Sequence, residues 1–184
     1  MQTAFDRIKL TALYPPFARK LGMLVGACLS RGFLYVATSG LRSIAEQERL
    51  YAIGRTTDRD GKPITLSDPA YGKTVTNARG NTGPHPFGVG CDLVRDADAN
   101  LADGLQPDYL DEHYVVLAEE AVKLQLTAGY YWPITQTRSF KDSGHVELPV
   151  HAHGLRWADL EIAYHQGGYP AVFAALDQKG PWQT

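Results

Sequence analysis

The stretch TGPHPFGVGCDL, residues 82–93, holds an imidazole and a carboxylate seven positions apart among prolines and glycines. On a helix this spacing would place His85 and Asp92 on one face, but the prolines and glycines at alternate positions disfavour a helix here. Pro84 and Pro86 instead restrict the backbone on both sides of the histidine. We interpret the stretch as a stiffened loop that presents His85 as a ligand for a metal ion.

The segment VGCDLV, residues 89–94, has the composition of a β-strand. Because side chains alternate between the two faces of a strand, Asp92 faces away from Cys91 and Leu93. Those two apolar side chains can enter a core while the carboxylate faces a cleft. The pattern therefore predicts that Asp92 is available as a second ligand.

A second strand pattern, HVELPV at residues 145–150, supplies another imidazole. The alternation places His145 and Glu147 on the same face of this strand. Pairing of the two strands would bring Asp92 close to His145, with His85 approaching from the preceding loop. Two imidazoles and one carboxylate form a three-ligand zinc set, which leaves a fourth position for water.

Hydrolysis of an amide also needs a group that accepts a proton from water and returns it to the leaving amine. Asp142, three residues before His145 in DSGH, is predicted to be this base because it lies on the turn that leads into the ligand strand. Glu147 is the alternative, either as a base or as a partner of the ligand histidine. Arg42, at the end of the predicted strand 33–40, is the candidate that stabilises the oxyanion.

Other side chains that could bind metals are assigned different roles. His151 and His153 alternate on a possible strand, but their place outside the motif favours a surface role or one beside the ligands. Cys28 and Cys91 are expected to be buried, reduced thiols, which suits synthesis in the cytoplasm.

The elements that position these residues follow from periodicity and from the positions of proline and glycine. A helix is predicted to begin at Pro15 and Pro16, and Ser43 with Glu46 forms a capping box for a second helix. The mixture of helices and a few scattered strands predicts an α+β fold with a small antiparallel sheet. The remaining predicted elements are a loop over 55–84, a helix over 109–128, a strand beginning at YYWPI (130–134) and a helix over 155–177 interrupted by Gly167 and Gly168.

Three segments, SGLRSIAEQERLYAIGR, VTNARGNTGPHPFGVGCDL and DSGHVEL, carry a resemblance that spans about residues 36–148. As a linked set they resemble the M15 zinc peptidases, which include D-alanyl-D-alanine carboxypeptidases and dipeptidases. The family motif is a histidine, six residues and an aspartate, followed later by an acid-x-x-His, and both spacings hold here. The Arg-Ser, Glu-Gln and Leu-Tyr pairs and the Val-Thr-Asn-Ala run are most similar to phage endolysins of the L-alanyl-D-glutamate endopeptidase type.

This resemblance implies one zinc ion at His85, Asp92 and His145, a general base at Asp142 and transition-state support from Arg42. It implies an M15/hedgehog-like peptidase fold and the activity of a peptidoglycan hydrolase that cuts an amide bond of the stem peptide. The first hypothesis for this bond is L-alanyl-D-glutamate. The alternatives are a D,D-carboxypeptidase or dipeptidase with the same metal chemistry and a non-catalytic module that binds the cell wall.

The size and charge of the chain limit how it can be organised and which partners it can bind. The 184 residues are expected to form a single zinc peptidase domain, with the motifs in a core over about 33–150 and a helical extension over about 151–184. A formal net charge of −2 argues against nucleic acid as a partner. The resemblance implies that the partner is the peptidoglycan of the bacterial cell wall. The most hydrophobic run, residues 21–29, is too short to span a bilayer, so no stable membrane insertion is expected.

The N-terminus lacks the apolar segment of a signal peptide. The protein is therefore expected to be made in the host cytoplasm. The resemblance to phage endolysins implies that it reaches the cell wall through a holin-type pore, and it is expected to act there as a monomer.

Overall fold

The computed structural model describes residues 10–55, 57, 74–135, 141–180 and 182. These residues have the predicted α+β architecture, with helices flanking one small antiparallel sheet. The helices are α1 (Pro15–Ser30), α2 (Ile44–Ala52), α3 (Val115–Lys123) and α4 (Trp157–Asp177), and the strands are β1 (Leu34–Ser39), β2 (Gly90–Asp96), β3 (Pro107–Asp108), β4 (Thr127–Ala128) and β5 (His145–Glu147).

Strand β2 is the centre of the sheet and carries the predicted ligand Asp92. It pairs with β1 on one side and with β5 on the other, while β4 lies beyond β5 and β3 pairs with the far end of β2. In the register of β2 with β5, Asp92 lies opposite His145 and Cys91 lies opposite Val146. The predicted pairing of the two ligand strands is therefore confirmed.

The alternation of side chains along the sheet is also as predicted. Cys91, Leu93 and Val146 are at most 1% exposed and belong to the hydrophobic core, whereas Asp92 is only partly buried. Helix α1 packs against β1 and α3 and contributes Phe17 to the same core. The core therefore fixes the strand faces, and the opposite face of β2 carries Asp92.

Helix α2 starts immediately after Arg42 because Ser43 caps it. The Ser43 hydroxyl oxygen accepts a hydrogen bond from the backbone N–H of Glu46 at 3.1 Å, as the sequence predicted. The return bond of a capping box does not form, since the Glu46 carboxylate binds Arg49 instead. The cap fixes the direction in which the chain leaves β1 and so the place of Arg42.

The helix predicted over 109–128 is wrong in its extent. The structure has a 3-10 turn over Asp111–Tyr114, then α3, then strand β4. Gln125 adopts a left-handed conformation with φ of 58°, which stops the helix two residues after its last turn. Periodicity could not show this stop, because no glycine or proline marks it.

The strand predicted to begin at YYWPI is wrong, and the one over 145–150 is too long. Ladder pairing between β4 and β5 ends at Ala128, and Gly129–Tyr131 forms a 3-10 turn. Strand β5 ends at Glu147, shortly before Pro149, which has no backbone N–H to continue a ladder. Both differences arise at sheet ends, where tertiary contacts decide the length.

Helix α4 packs onto the core and carries the predicted break at its paired glycines. Gly167 and Gly168 have non-helical dihedral angles, with φ of 65° at Gly168. Leu160 and Leu176, one on either side of the break, are fully buried. Within the part of the predicted 55–84 loop that is described, residues 74–84 have no helix or strand; residues 56 and 58–73 lie outside the described residues. No helix in the described ranges is long and apolar enough to cross a membrane.

Gly129→Ala is expected to destabilise the protein, because a methyl group at this position would lie 2.2 Å from the carbonyl oxygen of Asp142. Overpacking against backbone costs about 1–3 kcal/mol or more. The matched control is Gly22→Ala on α1, where a methyl group meets nothing within 4 Å. That change should stabilise the helix by roughly 0.5–1 kcal/mol. Denaturant unfolding of both variants measures the two effects, and equal midpoints would contradict the expectation.

Candidate active site

A cleft of about 540 Å³ opens over the face of the sheet that carries Asp92. A volume of this size is typical of a binding site for a small molecule or a short peptide. The cleft is lined by all five predicted site residues, Arg42, His85, Asp92, Asp142 and His145.

The three predicted ligands meet at one point of this cleft. Oδ1 of Asp92 lies 3.2 Å from Nε2 of His85 and 2.9 Å from Nδ1 of His145. One candidate ligand atom from each residue lies within 4.8 Å of the other two. A tetrahedral ion with bonds of about 2.0–2.1 Å keeps its ligand atoms about 3.3 Å apart. The nitrogen and oxygen donors are therefore close to the spacing that such an ion requires.

Each histidine is oriented through its other ring nitrogen. Nδ1 of His85 lies 2.7 Å from the carbonyl oxygen of Gly40, and Nε2 of His145 lies 3.2 Å from the carboxylate of Glu147. Because a carbonyl and a carboxylate only accept, these two ring nitrogens donate. The nitrogens that face the carboxylate of Asp92 would give up their protons to a bound metal ion and coordinate it, while the other two nitrogens keep theirs, which is the arrangement typical of histidine ligands in metal sites.

The local 3-10 turn over His85–Phe87 explains how the loop presents its histidine. Gly88 ends the turn in a left-handed conformation with φ of 70°. The ring of Pro84 packs against Gly90, where an added methyl group would lie 2.7 Å from it. Because Gly90 has no side chain, the ring of Pro84 can pack against it, and this contact holds the loop against β2.

The electrostatics of the cluster favour a cation. Burial raises the pKa of the Asp92 carboxyl, but His85 and His145 outweigh this effect and hold the pKa well below its usual value. Burial lowers the pKa of His145, but hydrogen bonds to Asp92 and Glu147 raise it to about 10. The carboxylates thus stabilise positive charge at the point where a metal ion would bind.

Arg42 lies beside the cluster and is held by three side chains. Its Nη2 donates to Oδ2 of Asp92 at 2.5 Å, its Nε to the hydroxyl of Ser39 at 2.8 Å and its Nη1 to Oε1 of Gln47 at 3.1 Å. Asp92 therefore presents one oxygen to the two histidines and the other to the guanidinium. This arrangement leaves Oδ1 as a single well-oriented candidate ligand atom.

Asp142 lies on the turn that leads into β5, as the sequence predicted. The carbonyl oxygen of Asp142 accepts a hydrogen bond from the backbone N–H of His145 at 3.1 Å, and Gly129 packs against the same carbonyl. Among the described residues that line the cleft, the carboxylates are Asp92, Asp142 and Glu147. The first contacts both histidines and the third contacts His145, and the group of described residues that could hold a metal ion does not include Asp142.

Sequence reasoning missed the residues that connect α2 to the wall of the cleft. Gln47, 1% exposed, accepts from Arg42 and donates through Nε2 to the carbonyl oxygen of Ala78 at 2.9 Å. Arg55 donates to the carbonyl oxygen of Thr76 at 2.9 Å and to Oδ1 of Asn77 at 2.8 Å. The signal was present in the quoted motifs, where the Glu-Gln pair and the Val-Thr-Asn-Ala run had no chemical assignment.

The region after residue 150 also contributes to the cleft. His151 and Trp157 line it, with their rings 4.7 Å apart, and Trp157 stacks on Phe87 of the ligand loop at 6.0 Å. Glu161 of α4 accepts hydrogen bonds from Asn81 at 3.0 and 3.1 Å. The loop that carries His85 is therefore held on both sides by α4.

The remaining predicted side chains lie outside the cluster. His153 packs against Trp182 at a ring distance of 4.4 Å, and the described residues place neither it nor His151 in a group that could bind a metal. Cys28 and Cys91 are free, buried thiols, as expected.

Comparison with known proteins identifies relatives of the chain. It is 30% identical over 145 residues to peptidoglycan L-alanyl-D-glutamate endopeptidase CwlK of Bacillus subtilis (strain 168), an alignment that covers 74% of this chain and 73% of that relative. It is also similar to the crystal structure of L-Ala D-Glu endopeptidase ChiX of Serratia marcescens, at 18% identity and a TM-score of 0.46, over 79% of this chain and 87% of that one. No protein-family model matches the chain.

A histidine–aspartate–histidine cluster in a cleft, with a further carboxylate on the adjacent turn, is typical of metallohydrolases. The identity to CwlK extends over nearly three quarters of both chains. The chain therefore belongs to the M15 family of metallopeptidases, as its motifs predicted.

Proposed function

We propose that the protein is a zinc-dependent peptidoglycan hydrolase that cleaves the L-alanyl-D-glutamate bond of the stem peptide. The observation that carries the proposal is the meeting of His85, Asp92 and His145 at one point of a peptide-sized cleft. The choice of bond is supported by the relative CwlK, whose name states that activity.

Zinc is the proposed ion because two imidazoles and one carboxylate are a common ligand set of catalytic zinc. When bound, it would supply Lewis acidity, which polarises a carbonyl and makes water nucleophilic near neutral pH. Arg42 holds the second oxygen of Asp92 and Glu147 holds the far nitrogen of His145, so both ligands keep their orientation.

Asp142 is the proposed general base. It accepts the proton of the attacking water at its carboxylate and delivers that proton to the amine of D-glutamate as the amide bond breaks. The tight turn to His145 keeps this side chain next to the ligand strand. Glu147 is less suited to this role, because its carboxylate is hydrogen-bonded to His145.

Arg42 has a second proposed role, which is to stabilise the negative charge that develops on the oxygen of the scissile carbonyl. Its side chain is 17% exposed, lines the cleft and is fixed by Ser39 and Gln47. A preorganised guanidinium of this kind needs no reorganisation as the charge forms.

The biological setting is proposed from the resemblance to phage endolysins. The protein would act as a monomer on the cell wall after release through a holin-type pore. Turbidity of bacterial cells with permeabilised outer membranes should fall when the purified protein is added, and should stay constant when a holin-free culture merely expresses it.

The experiment that tests the activity is digestion of purified muropeptides, with the new termini identified by mass spectrometry. Cleavage at L-alanyl-D-glutamate should release the free amino group of D-glutamate. Release of a terminal D-alanine would instead indicate a D,D-carboxypeptidase, and the absence of any new terminus with the metal-loaded protein would indicate a module that only binds the wall.

A further inference from the structure

The segment Thr76–Ala78 forms a wall of the cleft and has no role in the proposed chemistry so far. All three residues line the cleft, and α2 holds them from behind. Gln47 donates to the carbonyl oxygen of Ala78, and Arg55 donates to the carbonyl oxygen of Thr76. The wall is therefore attached rigidly to the same helix that follows Arg42, and its side chains have defined positions relative to the cluster.

Asn77 is a polar side chain of this wall, and a hydrogen bond determines the orientation of its carboxamide. Its Oδ1 accepts a hydrogen bond from Nη2 of Arg55 at 2.8 Å. Because a guanidinium group only donates, the amide cannot be turned with its nitrogen towards Arg55. The two N–H donors of Nδ2 then lie on the other side, and they have no partner among the described residues. A half-buried carboxamide of the cleft thus has both donors available for a ligand.

The hydrogen bond from Arg55 to the carboxamide of Asn77 indicates the kind of ligand that the other end of the carboxamide would bind. The Arg55 guanidinium is positive and polarises the carboxamide, which strengthens the N–H donors on its far side. Arg55 and Arg79 both lie over the ring of Tyr51, at 4.2 and 5.7 Å, and Arg79 also pairs with the carboxylate of Glu48 at 3.5 Å. Donors of this kind favour an anionic acceptor, since hydrogen bonds to charged groups are the stronger ones.

The proposed substrate has such an anion next to the bond that is cut. In the stem peptide, D-glutamate continues the chain through its γ-carboxyl group, so its α-carboxylate is free. This carboxylate is attached to the same α-carbon as the nitrogen of the bond that is cut. Resting on the proposed function, we propose that Asn77 binds this α-carboxylate through Nδ2 and so selects γ-linked D-glutamyl peptides. Arg55 is the positioning residue that orients the carboxamide.

The test uses two synthetic substrates, MurNAc-L-Ala-γ-D-Glu-L-Lys and the same peptide with the α-carboxyl group amidated. The zinc-loaded protein should prefer the carboxylate substrate. Asn77→Asp keeps an acceptor for Arg55 but presents an oxygen to the ligand. It should lower the ratio of kcat/KM for carboxylate over amide by about 10–100-fold, the worth of one hydrogen bond to a charged group. The change should appear in KM for the carboxylate substrate.

The matched control is Asn100→Asp, which makes the same chemical change in a loop where the side chain caps the N–H of Ala102 at 3.2 Å. This variant should keep the substrate ratio of the unmodified protein. An unchanged ratio in Asn77→Asp, with a normal unfolding midpoint, would overturn the inference.

Binding of the product separates this inference from the proposed function. Calorimetric titration with γ-D-Glu-L-Lys and with its amidated form measures selection without cleavage. Tighter binding of the carboxylate form that is lost in Asn77→Asp supports the role of Asn77 even if no stem peptide is cut. Equal binding of the two forms by the unmodified protein contradicts it even if the peptide is cut.

Discussion

Asp142→Asn is expected to lower kcat for stem-peptide cleavage by about 10²–10⁴-fold, the usual contribution of a general base. The substitution keeps the size of the side chain and removes its ability to accept a proton. Because Asp142 contacts His145 through its backbone carbonyl, the turn and the ligand strand should be retained. Elemental analysis should therefore still find one metal ion per chain.

The matched control for this prediction is Asp103→Asn, on an exposed turn where the carboxylate accepts from Gln106 at 3.1 Å. It should cleave at the normal rate. Glu147→Gln separates the two candidate carboxylates, because loss of a partner to a ligand histidine costs about 10–100-fold in metal affinity. If Asp142→Asn kept full activity, Asp142 would not be the general base. If Glu147→Gln kept its metal but lost activity, Glu147 would be the general base instead.

His145→Ala is expected to abolish both metal binding and cleavage. The substitution removes one of three ligands and leaves Asp92 with a single imidazole neighbour, so the affinity for zinc should fall by more than about 100-fold. Metal content per chain and the rate of muropeptide cleavage are measured on the same preparation. The control is His165→Ala, since this imidazole is 67% exposed on α4 and lies outside the cluster.

Removal of the metal by a chelator is expected to abolish cleavage, as the His145→Ala substitution is. Dialysis against a strong chelator should remove the activity, and stoichiometric zinc should restore it. Activity that survives complete removal of metal would contradict the proposed mechanism. If another divalent ion restored a higher rate than zinc does, the metal site would still be supported, but that ion would be the better candidate for the native metal.

The candidate site was largely predictable because its residues obey local rules. The alternation along VGCDLV and HVELPV placed Asp92 and His145 on one face, and the sheet register puts them directly opposite each other. The cap at Ser43 similarly marked where Arg42 leaves the sheet. These inferences needed only neighbouring residues and the pairing of two strands.

The contacts that orient the site could not be predicted, because they join residues far apart in the sequence. The bond from Gln47 to Ala78 and the bonds from Asn81 to Glu161 depend on how α2 and α4 pack against the ligand loop. The stop at Gln125 was hidden for the same reason, since a residue with no strong turn preference adopts a left-handed conformation only in its tertiary context. Periodicity therefore predicted the candidate ligands and missed the contacts that support them.

The contacts of α4 with the ligand loop have a consequence for the order in which the protein becomes competent. Glu161 holds Asn81 and Trp157 stacks on Phe87, so the segment that presents His85 is braced at both ends by residues translated more than 65 positions later. A nascent chain that has not yet extruded these residues from the ribosome lacks both braces. We therefore expect the loop that carries His85 to reach its position in the cleft only after α4 has emerged.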